Sequence, residues 1–191
     1  MGGTTRVVII HGAYGGPNEN WFPWLSDQVK KLGHEAVVPS LPTPEGQTLG
    51  SWTRVFMEQC GALTADTVLV GHSLAAGFIL ALLETSPVRV KGTFVASGFL
   101  GNLGLADFDS INESFVCREF KWDTIRKNAG EVHVYNSDTD PYVPLEKGYE
   151  LARNLGVTLA VVNNGGHINT SAGFTAFPML FDDLRALLAR A

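Results

Sequence analysis

The chain has 191 residues and a mass of 20.6 kDa; 45% of the residues are apolar and 17% charged. That is the composition of a folded chain long enough to bury a sizeable core, and it excludes an intrinsically disordered one. A net charge of −5 and an isoelectric point near 5.5, with no basic run longer than Lys30-Lys31, argue against a nucleic-acid partner.

Residues 1–191 read as one domain in which strand-like and helix-like pieces alternate. Residues 6–12 form a β-branched run closed by glycine, a buried strand. Residues 20–33 place Trp21, Trp24, Leu25, Gln28, Val29 and Leu32 near helical spacing, with Gly33 to end the helix. Residues 34–40 are a second strand, and 41–50 a loop held by two prolines and two glycines. Residues 51–63 read as a helix with Ser51 as its N-cap. A third strand at 67–71 leads into a helix at 74–85, and a fourth strand spans 90–98.

Residues 99–130 show no strong period and read as a lid-like excursion over the sheet edge, with a short helix from Trp122 to Lys127. A strand at 131–137, a helix at 144–156, a strand at 157–164 and a helix at 177–191 complete the chain. Alternation at this pitch requires crossover connections. The expected fold is therefore α/β: a three-layer α/β/α sandwich on about six mostly parallel strands.

In an open parallel sheet, ligands bind beyond the carboxyl ends of the strands. Four strand ends carry residues of interest. After the third strand, "GHSLAAG" places Ser73 among small residues at a strand-to-helix turn. There it is either an exposed nucleophile or a helix N-cap. After the fifth, "SDTDPYVP" supplies Asp138 and Asp140, either of which could orient a histidine or simply shape a turn. After the sixth, "NNGGHIN" supplies His167. After the first, "HGAYGG" brings backbone close to a ligand, with the N–H of Ala13 or Tyr14 as an oxyanion donor beside that of Leu74.

Serine, acid and histidine occur in the chain order of the α/β-hydrolase plan. In that plan His167 takes the Ser73 proton and the acid holds the imidazole tautomer. Tyr14, Phe99, Tyr142 and Ile168 are the candidate pocket side chains. His72 and His11 read as structural, His11 through hydrogen bonds that fix its loop. The three tryptophans Trp21, Trp24 and Trp52 read as core.

Together "GHSLAAG", "NENWFPWL", "SDTDPYVP" and "GGHIN" resemble the small serine hydrolases typified by retinoblastoma-binding protein nine and its bacterial relatives. The resemblance covers nearly the whole chain. It implies an α/β-hydrolase core without the first antiparallel strands, and it favours Asp140, directly before the P-x-V/L-P turn, as the acid. Ala75 departs from G-x-S-x-G by one methyl. The L-x-C-x-E retinoblastoma-binding motif is absent, so no protein partner is carried over.

The function expected is a serine hydrolase acting on a small carboxylic ester, or an amide, through an acyl-enzyme. The alternatives are a non-catalytic binding protein on the same fold and an acyl transferase using the same triad. No metal-ligand spacing and no dinucleotide or phosphate-loop pattern occurs, so no cofactor is expected. The sequence carries no membrane-spanning run, no signal peptide and, with Arg6 where Ser or Thr is needed, no myristoylation pattern. Cys60 and Cys117 read as free thiols, which suits a reducing cytoplasm.

Overall fold

The computed structural model describes residues 3–190. Six strands form one sheet: β1 (Arg6–Ile10), β2 (Glu35–Val37), β3 (Thr67–His72), β4 (Gly92–Ala96), β5 (Glu131–Ser137) and β6 (Leu159–Val162). All pairings are parallel, in the order β2-β1-β3-β4-β5-β6. Parallel neighbours need long crossovers, and these are helices that cover both faces. Helices α1 (Phe22–Lys31) and α7 (Pro178–Leu188) pack on one face. The other face is covered by α2 (Leu49–Cys60), α3 (Ala75–Thr85), α4 (Ala106–Val116), α5 (Trp122–Asn128) and α6 (Leu145–Leu155). The expected three-layer sandwich is the observed architecture.

The two-residue period of a strand sorts its side chains between the two cores. Val7 and Ile9 of β1 face α1 and α7, while Val8 and Ile10 face the opposite layer. Val68 and Val70 of β3 are split from Leu69 in the same way. Every residue of β3 and β4 is buried, which is why their sequence is almost continuously apolar. Helix α3 is apolar all round because it too is enclosed; all residues from Ala75 to Leu83 are buried. Trp21 and Trp52 are fully buried and Trp24 packs edge-on against Phe181, so all three serve the core.

Three elements differ from the sequence reading. Helix α2 starts at Leu49, and its N-cap is Thr48 rather than Ser51. Ser51 is the partner residue of a reciprocal capping box, its hydroxyl accepting from the Thr48 N–H at 3.2 Å. Strand β2 is short because it is an edge strand paired only with β1, and Pro39 cannot extend the ladder. The 99–130 stretch holds a full helix, α4, before the expected α5. No cap residue marks its start. Instead the Asp109 carboxylate, inside the first turn, reaches back to accept from the N–H groups of Leu103, Gly104 and Leu105 at 2.8 to 3.0 Å.

The chain order reverses at β1. Strand β2 lies on one side of it, and β3 through β6 extend from the other. The carboxyl ends of β1 and β3 therefore border a crevice, where loops leave in opposite directions and a ligand can enter.

Candidate active site

Ser73 directly follows β3 with φ at +57°. A non-glycine residue in that region carries strain of about 1–3 kcal/mol, maintained only by its surroundings. Its N–H donates to the Ala96 carbonyl at 2.8 Å, extending the ladder, and its own carbonyl accepts from the Ala76 N–H at 3.0 Å. It does not cap α3: the N-cap position is Leu74, with no side-chain cap bond.

The turn closes only because its neighbours are small. A Cβ on Gly12 would lie 2.9 Å from the Ser73 Cβ, and one on Gly71 would lie 2.6 Å from Ile79 Cδ1 and 3.0 Å from the Ala75 Cβ. The Ala75 methyl thus sits against the bare backbone of Gly71, and the departure from the usual pattern is absorbed by packing.

His167 and Asp140 are brought together by the loops after β6 and β5. His167 Nδ1 lies 2.8 Å from Asp140 Oδ2. The other carboxylate oxygen of Asp140, Oδ1, accepts from the N–H groups of Tyr142 and Val143 at 2.9 and 3.0 Å. That carboxylate is wholly buried, and the His167 side chain is 11% exposed. Asp138 has a different role, its Oδ1 accepting from the Asn164 N–H at 2.7 Å. Ser137 and Thr139 bind the same loop through Gly165 and Gly166. The β5 loop therefore carries His167 on a hydrogen-bonded platform. An imidazole so held can donate from Nδ1 and keep Nε2 free to accept a proton.

The loop after β1 is set by His11. Its Nε2 accepts from the Leu41 N–H at 3.0 Å, which leaves Nδ1 protonated to donate to the Gly12 carbonyl at 2.8 Å. Burial lowers the His11 pKa and keeps this ring neutral. With the Gly12 carbonyl fixed, the planar trans peptide aims the Ala13 N–H the opposite way. The Tyr14 N–H is engaged with Thr43 Oγ1 at 2.6 Å. Among the described residues, the N–H groups of Ala13 and Leu74 have no partner within the protein.

His72 supports His167 from behind. Its Nε2 lies 2.8 Å from the His167 carbonyl and must donate, and the two rings pack edge-to-face at 4.8 Å. Burial, reinforced by the nearby His167 ring, depresses its pKa from 6.5 to about 3. The unfolded chain binds this proton below pH 6.5, whereas the fold refuses it until about pH 3. The stability due to neutral His72 is thus complete above pH 6.5 and declines as pH falls to 3. At about 1.4 kcal/mol per pH unit, at most about 5 kcal/mol is lost. His72→Gln keeps a donor and removes the titration. Urea unfolding at pH 7, 5 and 4 is expected to show a flatter acid decline in this variant; parallel declines would disprove it.

Ser73 and His167 line one cleft of about 810 Å³. Tyr14, Leu105, Phe108 and Tyr142 give it apolar surface, the Phe108 ring stacking on Tyr14 at 6.1 Å. Asn18, Glu19, Asn20, Asn169, Thr170, Ser171 and Thr175 give it polar surface. Asn20 Oδ1 joins the two polar segments by accepting from the Thr170 N–H at 2.9 Å. Of the four expected pocket residues, Tyr14 and Tyr142 line the cleft.

Phe99 and Ile168 do not line it, and both are fully buried. Phe99 lies in the core behind Phe108, with ring centroids 6.3 Å apart. Ile168 turns into the core under α1, its φ of +48° held by Trp21 Nε1–H donating to its carbonyl at 3.0 Å. Leu105, Phe108 and Glu19 line the cleft without being among the expected pocket residues, and Gln47 supports it from behind. The buried Gln47 Nε2 donates to Asn112 Oδ1 at 2.7 Å and to the Ile111 carbonyl at 3.1 Å. Its Oε1 accepts from Thr43 Oγ1, the hydroxyl that receives the Tyr14 N–H. Helix α4, which carries Phe108, is thereby tied to the loop that carries Tyr14.

A parallel α/β/α sandwich with a strained serine at the end of a central strand, beside a histidine–carboxylate pair, is the build of an α/β hydrolase. A family model described as serine hydrolase matches residues 7–186, and the chain belongs to that family. YdeN of Bacillus subtilis is 30% identical over 189 residues, 98% of each chain. Its crystal structure aligns with 98% of this chain and 100% of its own at a TM-score of 0.90 and 29% identity. Serine hydrolase RBBP9 of Rattus norvegicus is 24% identical over the full length of both chains. Est1E of Butyrivibrio proteoclasticus, solved with ferulic acid bound, aligns at a TM-score of 0.73 over 97% of this chain and 90% of its own. At 13% identity that likeness is one of fold. The protein is therefore an enzyme, a hydrolase. No described helix is long and apolar enough to cross a membrane.

Proposed function

We propose that this hydrolase cleaves a small carboxylic ester, or an amide, through a Ser73–His167–Asp140 triad. The observation that carries this reading is the 2.8 Å contact between His167 Nδ1 and Asp140 Oδ2 in a cleft shared with strained Ser73. With Nδ1–H held by Asp140, Nε2 accepts the Ser73 proton as Oγ attacks the carbonyl carbon. The carbonyl electrons move to oxygen, and that anion is received by the N–H groups of Leu74 and Ala13. Engagement of the Tyr14 N–H with Thr43 supports Ala13 over Tyr14 for this role.

Collapse re-forms the carbonyl and breaks the bond to the leaving group, which takes its proton from His167. A water then gives a proton to His167 and attacks the acyl-serine. The second collapse releases the acid and returns the proton to Ser73 Oγ. The cleft volume supports a small substrate, and the apolar side chains of Leu105 and Phe108 support α4 as one of its covers. Both cysteines are free, which supports a cytoplasmic setting.

A fluorophosphonate probe followed by digestion tests the reading. Labelling is expected on Ser73 alone, and it should drop sharply in His167→Ala. Folded protein that takes no label would sink it.

A further inference from the structure

The cleft is lined by side chains of two kinds, and one of them is charged without compensation. Glu19 lines it, and no Lys or Arg does. Among the described residues no cation lies within 4 Å of the Glu19 carboxylate, and no hydrogen bond engages it. The other carboxylate of the site, Asp140, is buried behind His167 with both oxygens occupied. Glu19 is exposed and, among the described residues, is the one carboxylate side chain that lines the cleft.

Where Glu19 stands relative to the reaction follows from the proton path of the proposed mechanism, on which this inference rests. His167 delivers its proton to the leaving group, so the leaving group departs beside His167 and the segment that follows it. That segment, Asn169 to Ser171, is joined through Asn20 to the 18–20 loop that holds Glu19. Tyr14, Leu105 and Phe108 give the cleft apolar surface, the Tyr14 and Phe108 rings stacked, that suits an acyl or aryl group.

We infer that Glu19 is a specificity-determining residue that selects esters or amides whose leaving group is cationic, and that it disfavours anionic ones. The acyl part, by contrast, is apolar. An exposed carboxylate acts through a field that solvent screens. One unit charge at contact range in such a setting is worth about a threefold to fivefold rate ratio. The effect shrinks as salt shortens the Debye length.

Two methylphosphonate thioesters test this on the full chain without knowledge of the natural acyl group. One carries a thiocholine leaving group, and the other its uncharged isostere, 3,3-dimethylbutanethiol. The rate of Ser73 phosphonylation is measured for each by mass spectrometry. The ratio of the two rates is divided by the same ratio for hydroxide-driven hydrolysis of the probes, so that the better leaving-group ability of thiocholine cancels. This corrected ratio should be about threefold to fivefold, and it should fall towards one in Glu19→Gln and in 0.5 M salt. In Glu19→Lys it should drop below one. A wild-type ratio of one, or a ratio unmoved by both substitutions, overturns the inference while leaving Ser73 as the nucleophile. Labelling by neither probe overturns the catalytic assignment, and this inference with it.

Discussion

Replacing Ser73 with alanine is expected to lower kcat by about 10⁶-fold, and His167→Ala and the double variant are expected to fall to the same floor. The equality follows from the proposed mechanism. His167 has no proton to take once the hydroxyl is gone, and the hydroxyl has no base once the imidazole is gone. Each variant is left with the oxyanion donors and the cleft, worth about 10³–10⁴ over water. Ester hydrolysis by the three proteins, assayed at equal concentration, checks this; losses that add on a logarithmic scale would show that the two residues act separately.

The same position reports on strain. Ser73→Gly is expected to be as inactive as the alanine variant yet about 1 kcal/mol more stable, because glycine adopts a φ of +57° without penalty. Equilibrium unfolding of the two inactive variants gives that difference directly.

Asp140→Asn is expected to lower kcat by about 10⁴-fold, while Asp138→Asn stays within a few-fold of the native enzyme. The contrast rests on which atom each partner demands. The Tyr142 and Val143 N–H groups both point at Asp140 Oδ1, so an asparagine there must turn its carbonyl oxygen to them. Its amide NH₂ then faces His167 Nδ1, which must accept instead of donate. The proton moves to Nε2, and the imidazole is held in the tautomer that cannot accept from Ser73. Among the described residues the Asp138 carboxylate accepts only from the Asn164 N–H, which an amide oxygen satisfies equally well. Activity profiles of both variants decide the matter. An inactive Asp138→Asn beside an active Asp140→Asn would reverse the assignment.

The elements that could be read from the residues are those whose pattern is local. Strands β1, β3 and β5 announce themselves by β-branched runs, and the turn at Ser73 by the small residues Gly71, Ala75 and Gly77. The choice between Asp138 and Asp140 is not local. Both follow β5, and only contacts with two other loops separate them, so it needed a resemblance to known proteins. Helix α4 stayed hidden for a physical reason. Its inward face carries Asn112, fully buried against Gln47, where a periodicity argument looks for an apolar residue. Its start is secured by an acid inside the helix, not by a cap residue before it. Phe99 and Ile168 sit where the sequence placed them along the chain, but their side chains turn inward. Such orientation depends on backbone twist, as at the positive φ of Ile168.

The link from Gln47 to α4 has a consequence for how this cleft can diversify. Helix α4, which brings Phe108 to the apolar surface, and the 41–47 loop, whose Thr43 holds the Tyr14 N–H, lie about sixty residues apart in sequence and are joined by the buried Gln47 amide. A new α4 that lacks a partner for Gln47 leaves that amide stranded, at about 1–3 kcal/mol. A new 41–47 loop without Gln47 strands Asn112 in the same way. The unit that can be exchanged among descendants of this fold is therefore the pair, inherited together, while the loops that carry Ser73, Asp140 and His167, which among the described residues make no hydrogen bond to Gln47 or Asn112, are free to stay as they are.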